Sequence, residues 1–314
     1  MQALQKITTL CAFAFAAILF APQALAQSDR AYRTEIFPVS GIPELIAETS
    51  GASVKVIGTN DNEIVVRMYA RYRGDLVTAP NKEVEEFLED FKIEIEGNQN
   101  EVRLSAKNTS WGWNWGDQKV SIAFEVEVPR EIETSFQTSG GSISLTGVDG
   151  DHQIATSGGS ITITDVKGQV TTKSSGGSFT LSNFEGEVEV RTSGGSVKVS
   201  EMRGELEVYT SGGSVSLDEI YGSIGAYTSG GSIRANLNEI TDDLEFKSSG
   251  GSVSVTVPAT AELDLDLRGG RVNTELKNFS GTIDDDKVSG QLNGGGYALV
   301  MQSSGGRLTL DFSR

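Results

Sequence analysis

The chain holds almost no cysteine or histidine: one of each in 314 residues, Cys11 and His152. Cys11 lies in a stretch that reads as a removable leader, residues 1–26. There Lys6 precedes an apolar run from Leu10 to Phe20, and an Ala-Leu-Ala site follows at Ala24 to Ala26. A mature chain of residues 27–314 therefore has no thiol. That excludes disulfides, thiolate nucleophiles and Cys-ligated metals. Basic charge is in the minority, with 26 Lys and Arg against 43 Asp and Glu, for a net charge of −17, or −18 once Lys6 is lost. No basic cluster breaks that balance, which argues against a nucleic-acid partner. After the leader no stretch reaches the roughly 18 to 20 continuous apolar residues that span a bilayer. The expected product is exported to the periplasm, cell surface or medium and has no integral membrane segment.

Glycine is abundant, 37 residues, and ordered. Ser-Gly-Gly-Ser begins at Ser139, Ser157, Ser175, Ser193, Ser211 and Ser229 in successive steps of 18 residues, and again at Ser249 after a step of 20. A period this strict predicts a solenoid in which each repeat is one coil stacked on the last, since no single coil can bury its apolar face alone. Alternation within strands then sorts the side chains. Ile143/Leu145, Ile161/Ile163, Phe179/Leu181, Val197/Val199 and Val215/Leu217 point inward, as do Val188/Val190, Leu206/Val208 and Ile224/Ala226 on a second strand. Val148, Val166, Phe184, Met202 and Ile220 plug the corner between the two strands. About nine or ten coils make a rod roughly 45 Å long. The paired glycines are expected to supply positive φ at a sharp corner, with Ser and Thr hydroxyls bonding the turn backbone.

Outward positions form columns. One on the first strand is mostly hydroxylated: Ser144, Thr162, Thr180, Lys198, Ser216, Arg234 and Ser254. On the second strand a column reads Ala155, Lys173, Arg191, Tyr209, Tyr227 and Lys247, beside another with Glu189, Glu207 and Glu245. Tyrosines one coil apart can stack, with cations over the rings at either end. Such a ladder is either a surface for sugar rings or peptide, or a device that ties adjacent coils together.

The N-terminal part, residues 27–135, is less regular than the solenoid expected over residues 136–314. Thr49-Ser50-Gly51, Val54 and Val56, then Ile64 and Val66, read as a degenerate coil. An insertion follows in which Val84, Phe87, Leu88 and Phe91 have the spacing of a short amphipathic helix, expected to lie on the side or open end of the rod. Trp111-Gly112-Trp113-Asn114-Trp115 holds every tryptophan in the chain. If extended, it places all three rings on one face, a carbohydrate or membrane-interface platform if exposed and a packing element if buried.

Catalytic chemistry has few residues to use. His152 aligns with the inward column of Val170, Val188, Leu206 and Ile224, as a core histidine, and no nucleophile stands at a defined spacing from it. Asp284-Asp285-Asp286 reads as a solvated turn or a calcium site. No metal and no cofactor are expected.

The Ser-Gly-Gly-Ser coils, the Thr49-Ser50-Gly51 opening and the phrase from Val128-Pro129 to Thr138-Ser139-Gly140-Gly141 carry a resemblance. Together with the leader, they resemble a bacterial candidate-adhesin family, a β-strand-repeat domain of unknown function related to auto-transporter adhesin head domains. The resemblance implies an all-β, single-chain right-handed β-solenoid in the cell envelope, with an adhesive or envelope-stress role and no catalytic residues. The expected function is therefore non-catalytic binding of glycan, envelope polymer or a protein partner. The candidate contacts are Trp111, Trp113, Trp115, Tyr209, Tyr227, Arg191 and Lys173. Two alternatives stand beside it. One is a scaffold that self-associates end to end through its C-terminal edge near Leu310. The other is a polysaccharide lyase or hydrolase on a β-helix.

Overall fold

The computed structural model describes residues 31–78, 80–89, 91–108 and 120–313. The leader and Trp111, Trp113 and Trp115 lie outside the described residues. The described chain is nearly all β, with its strands in one continuous sheet.

The repeating unit is a bent strand of 14 residues, seen in Ile161–Ser174, Phe179–Thr192, Val197–Thr210 and Val215–Thr228. Neighbours pair in parallel and in register with the sequence period: Ile161 faces Phe179, which faces Val197, which faces Val215. The inward columns and the corner plugs Val166, Phe184, Met202 and Ile220 are all buried, as the alternation predicts. Each strand bends where Asp165, Asn183, Glu201 or Glu219 adopts φ of 50 to 56°. A second adjustment follows at Gly168, Gly186, Gly204 and Gly222, with φ between 119 and 155°. These bends divide each unit into a first and a second arm.

The Gly-Gly pairs serve a purpose other than the expected one. None of them lies in the left-handed region. The second glycine is required by close stacking: a Cβ at Gly195 would overlap the carbonyl oxygen of Gly177 one coil away, and Gly177 stands in the same relation to Gly159. The first glycine is open, with nothing closer than 3.6 Å to a Cβ at Gly194. A buried hydroxyl completes this turn. The Thr210 Oγ1 accepts from the Gly213 N–H at 3.2 Å and donates to the Gly195 carbonyl of the preceding coil at 3.5 Å. Thr228 and Ser248 repeat the arrangement. The hydroxyls form an internal ladder that satisfies turn backbone which stacking removes from water.

Both ends are closed by strands interleaved out of chain order. Glu44–Thr49 and Ser53–Thr59 form a coil that stacks on Glu133–Thr138 and Ile143–Thr146 on one side, and on Glu101–Asn108 and Val120–Pro129 on the other. Ile64 and Val66 are not part of that coil. They lie on Glu63–Tyr72, antiparallel to both Arg33–Pro38 and Val120–Pro129, and so belong to a cap. The helix Lys82–Glu89 packs on this cap with Val84 buried and Phe87 and Leu88 partly so. At the other end the strand Arg307–Ser313 runs between Val253–Pro258 and Arg271–Thr274. Leu310 is 1% exposed, so it lies within the stack and not on a free C-terminal edge. Leu263–Arg268 is sandwiched likewise between Tyr297–Ser303 and the antiparallel Lys287–Leu292. The carbonyls of Asp285 and Asp286 accept from Val272 and Gly269, so the Asp284 to Asp286 turn covers the last edge.

Candidate functional site

The second arms bring Lys173, Arg191, Tyr209, Tyr227 and Lys247 into one column, each opposite the next, with Gln302 below Lys247. The two tyrosine rings stack with centroids 4.8 Å apart and planes 8° from parallel. The Arg191 guanidinium carbon lies 4.2 Å from the Tyr209 centroid, and the Lys247 ammonium 6.0 Å from that of Tyr227. Both ring faces are thereby covered, so each ring shows its neighbours along the rod a face and shows solvent an edge.

The acidic column holds this ladder upright. Glu189 pairs with Arg191, and Glu245 accepts from both Lys247 and the Tyr227 hydroxyl. Burial, then the Glu245 hydrogen bond, pushes the Tyr227 hydroxyl well above its ordinary value. Glu207 does the same to Tyr209, chiefly through its hydrogen bond. Burial alone would raise the Glu245 carboxyl, but hydrogen bonds from Lys247 and Tyr227 outweigh it and hold the group below the usual carboxylate range. Gly225 breaks the acidic column, and the Glu207 carboxylate occupies the space a Cβ there would take.

On its other side the column faces the serines that open each Ser-Gly-Gly-Ser turn. Together they line a groove of about 610 Å³ that also reaches Gln302 and Ser304. Ser193, Ser211, Ser229 and Ser249 are exposed along it. Among the sequence-derived candidates, Lys173, Arg191, Tyr209 and Tyr227 therefore lie together on one face.

A second outward column, at the corner, was not among those candidates. Asp149, Lys167, Glu185, Arg203, Tyr221 and Glu239 follow one another in register. Lys167 pairs with Glu185 at 2.6 Å, and Arg203 lies 3.9 Å from the Tyr221 centroid. Alternating charge at the 18-residue period was the available signal. The Lys167–Glu185 ion pair and the Arg203–Tyr221 contact each join neighbouring coils, which makes this column a tie between coils.

His152 is inside, 1% exposed, with Nδ1 3.0 Å from the Thr134 hydroxyl and Nε2 without a partner. Burial pushes its pKa down to about 4, against a smaller opposing influence of Asp151 and Asp149. It is a neutral core side chain out of reach of any external substrate.

The model of the Toastrack DUF4097 family matches residues 44–310, most of the chain and nearly all of the stacked part described above. The chain belongs to the Toastrack DUF4097 family. No curated protein is similar enough in sequence to match this toastrack chain. Among solved structures, a candidate adhesin from Bacteroides fragilis is similar at 13% identity and a TM-score of 0.37, covering 90% of this chain and 96% of its own. A candidate adhesin from Parabacteroides distasonis gives 12% and 0.38, with 88% and 96% covered. A candidate cell adhesion protein from Clostridium sporogenes gives 9% and 0.22, with 90% and 99% covered.

Proposed function

We propose that this toastrack chain is an exported, non-catalytic, adhesin-like binding protein, and that its ligand is an extended polymer of the cell envelope or of a glycan. The observation that carries this reading is the groove beside the Lys173 to Lys247 column. It repeats a serine hydroxyl once per coil, along the rod axis, beside a column in which Arg191, Tyr227 and Lys247 are held by Glu189 and Glu245. A surface periodic in one direction suits a ligand periodic in the same direction. The only histidine is sealed in the core, which removes the commonest general base from the surface.

The test is an array of glycans, peptidoglycan and other envelope polymers probed with residues 27–314, the Arg191→Ala/Tyr209→Ala variant and a Trp111/Trp113/Trp115 triple alanine variant. The reading predicts selective binding by the native chain that the groove variant loses while its melting temperature stays well above the assay temperature. Binding that only the tryptophan variant loses would move the site to that segment, and absence of binding on every surface would reject the reading.

A further inference from the structure

We propose that the groove takes a linear acidic polysaccharide, bound along the rod axis by its carboxylates; this rests on the reading of the groove as a polymer site. Three features of the molecule lead there. First, the charged side chains of the groove lining are all basic, with Arg191 and Lys247 paired to Glu189 and Glu245 behind it and Lys173 left unpaired among the described residues. The charged residues lining the groove are Lys173, Arg191 and Lys247, with no acid among them, although the chain carries −17 overall and an acidic column runs immediately beside it.

Second, two of these cations are adjacent. Lys173 lies directly opposite Arg191 in the parallel register. Like charges facing each other across neighbouring strands destabilise a sheet. Arg191 is relieved by Glu189, whereas Lys173 has no ion pair or hydrogen bond among the described residues. An anion between the two offsets that repulsion.

Third, the tyrosines present edges. Both faces of the Tyr209 and Tyr227 pair are covered by each other, Arg191 and Lys247, so no open face is left for stacking on a neutral sugar ring. The ring edge is the positive part of the aromatic quadrupole and favours an anion. The exposed serine hydroxyls opposite add one donor per coil, suited to sugar hydroxyls and carboxylate oxygens.

Lys173 and Lys247 are four coils apart, about 19 Å at the spacing of neighbouring strands. A ligand that meets both must be an oligomer and not a single sugar. Three cations over that length are too sparse for nucleic acid, which is held by many closely spaced phosphate contacts.

The probes are polygalacturonate, neutral dextran of matched length, polyphosphate and single-stranded DNA, titrated against residues 27–314. Two double variants carry the same change in net charge: Arg191→Glu/Lys247→Glu in the groove, and Lys198→Glu/Arg234→Glu on the outward column of the first arms. Lys173→Glu is added because it breaks no ion pair or hydrogen bond among the described residues. The expected result is binding of polygalacturonate in preference to dextran, weakened about tenfold by the groove double variant, several-fold by Lys173→Glu and by added salt, and little changed by the first-arm variant. Dextran binding as tight as polygalacturonate, or equal losses in both double variants, would overturn the acidic class and leave the polymer reading standing. Tighter binding of polyphosphate or DNA would replace the polysaccharide by a phosphate polymer. No binding of any probe would remove the acidic-polysaccharide proposal, while the polymer reading stands or falls on the array.

Discussion

Two adjacent glycines in one tetrapeptide have different duties. A methyl group at Gly195 overlaps backbone of the coil below, whereas one at Gly194 makes only an ordinary contact with the Ser175 carbonyl oxygen at 3.6 Å. Backbone of a paired strand cannot move aside without parting the stack. Gly195→Ala is therefore expected to cost about 3 kcal/mol or more, and Gly194→Ala less than about 1 kcal/mol. Denaturant unfolding of the two variants side by side measures the contrast, and equal losses would return the motif to a purely conformational role. His152 makes a second residue-scale prediction. Its folded pKa of about 4 lies below the ordinary 6.5. Between these values the unfolded chain binds the extra proton, so this group's contribution is full above pH 6.5 and is lost as pH falls towards 4. The loss is about 3 kcal/mol at about 1.4 kcal/mol per pKa unit. In His152→Leu, which continues the apolar column, the fall in stability from pH 6.5 to 4 should be shallower than in the parent by about that amount. Parallel pH profiles would show the histidine to be irrelevant.

At the scale of the element, the strand Arg307–Ser313 lies inside the stack although it comes last in the described chain. Its removal strips partners from both Val253–Pro258 and Arg271–Thr274. The edge strand Arg33–Pro38 pairs only with Glu63–Tyr72. Deleting residues 307–314 should therefore raise hydrogen exchange throughout residues 253–303, whereas deleting residues 31–38 should affect little beyond its single partner. The inverse pattern would contradict the pairing. Such interleaving was not legible in the sequence. The inward columns were, because period two and period 18 together assign every residue of a regular coil to a face. Val253 to Leu308 or Leu45 to Val102, by contrast, are pairings that no repeat spacing announces. The charged and aromatic column of the groove was legible for the same reason as the core. That the tyrosine faces are covered was not, since spacing places rings in one column without stating their tilt. The glycines were found by the repeat but assigned the wrong cause, because a close approach between coils leaves no mark within a single coil.

For the whole molecule, stacking buries each coil against two neighbours, and closure of the ends decides whether the rod grows. Among the described residues, antiparallel strands cover both ends: Glu63–Tyr72 with Arg33–Pro38 at one, and Lys287–Leu292 with Phe279–Ile283 at the other. The outermost strands, Arg33–Pro38 and Phe279–Ile283, are short and antiparallel, and short edge strands resist strand-to-strand assembly. Sedimentation of residues 27–314 should accordingly show no growth with concentration. Leu310→Asp should lower the melting temperature by burying a charge, with no effect on association. Concentration-dependent species abolished by that substitution would revive end-to-end assembly.

A ligand that lies along the Lys173 to Lys247 column is located by side-chain oxidative footprinting with polygalacturonate bound. Tyr209 and Tyr227 should be protected while Tyr221 and Tyr297, on other surfaces, react as in the free chain. Unchanged reactivity at Tyr209 and Tyr227, with protection at Tyr221 or at Trp111, Trp113 and Trp115, would place the ligand away from the groove.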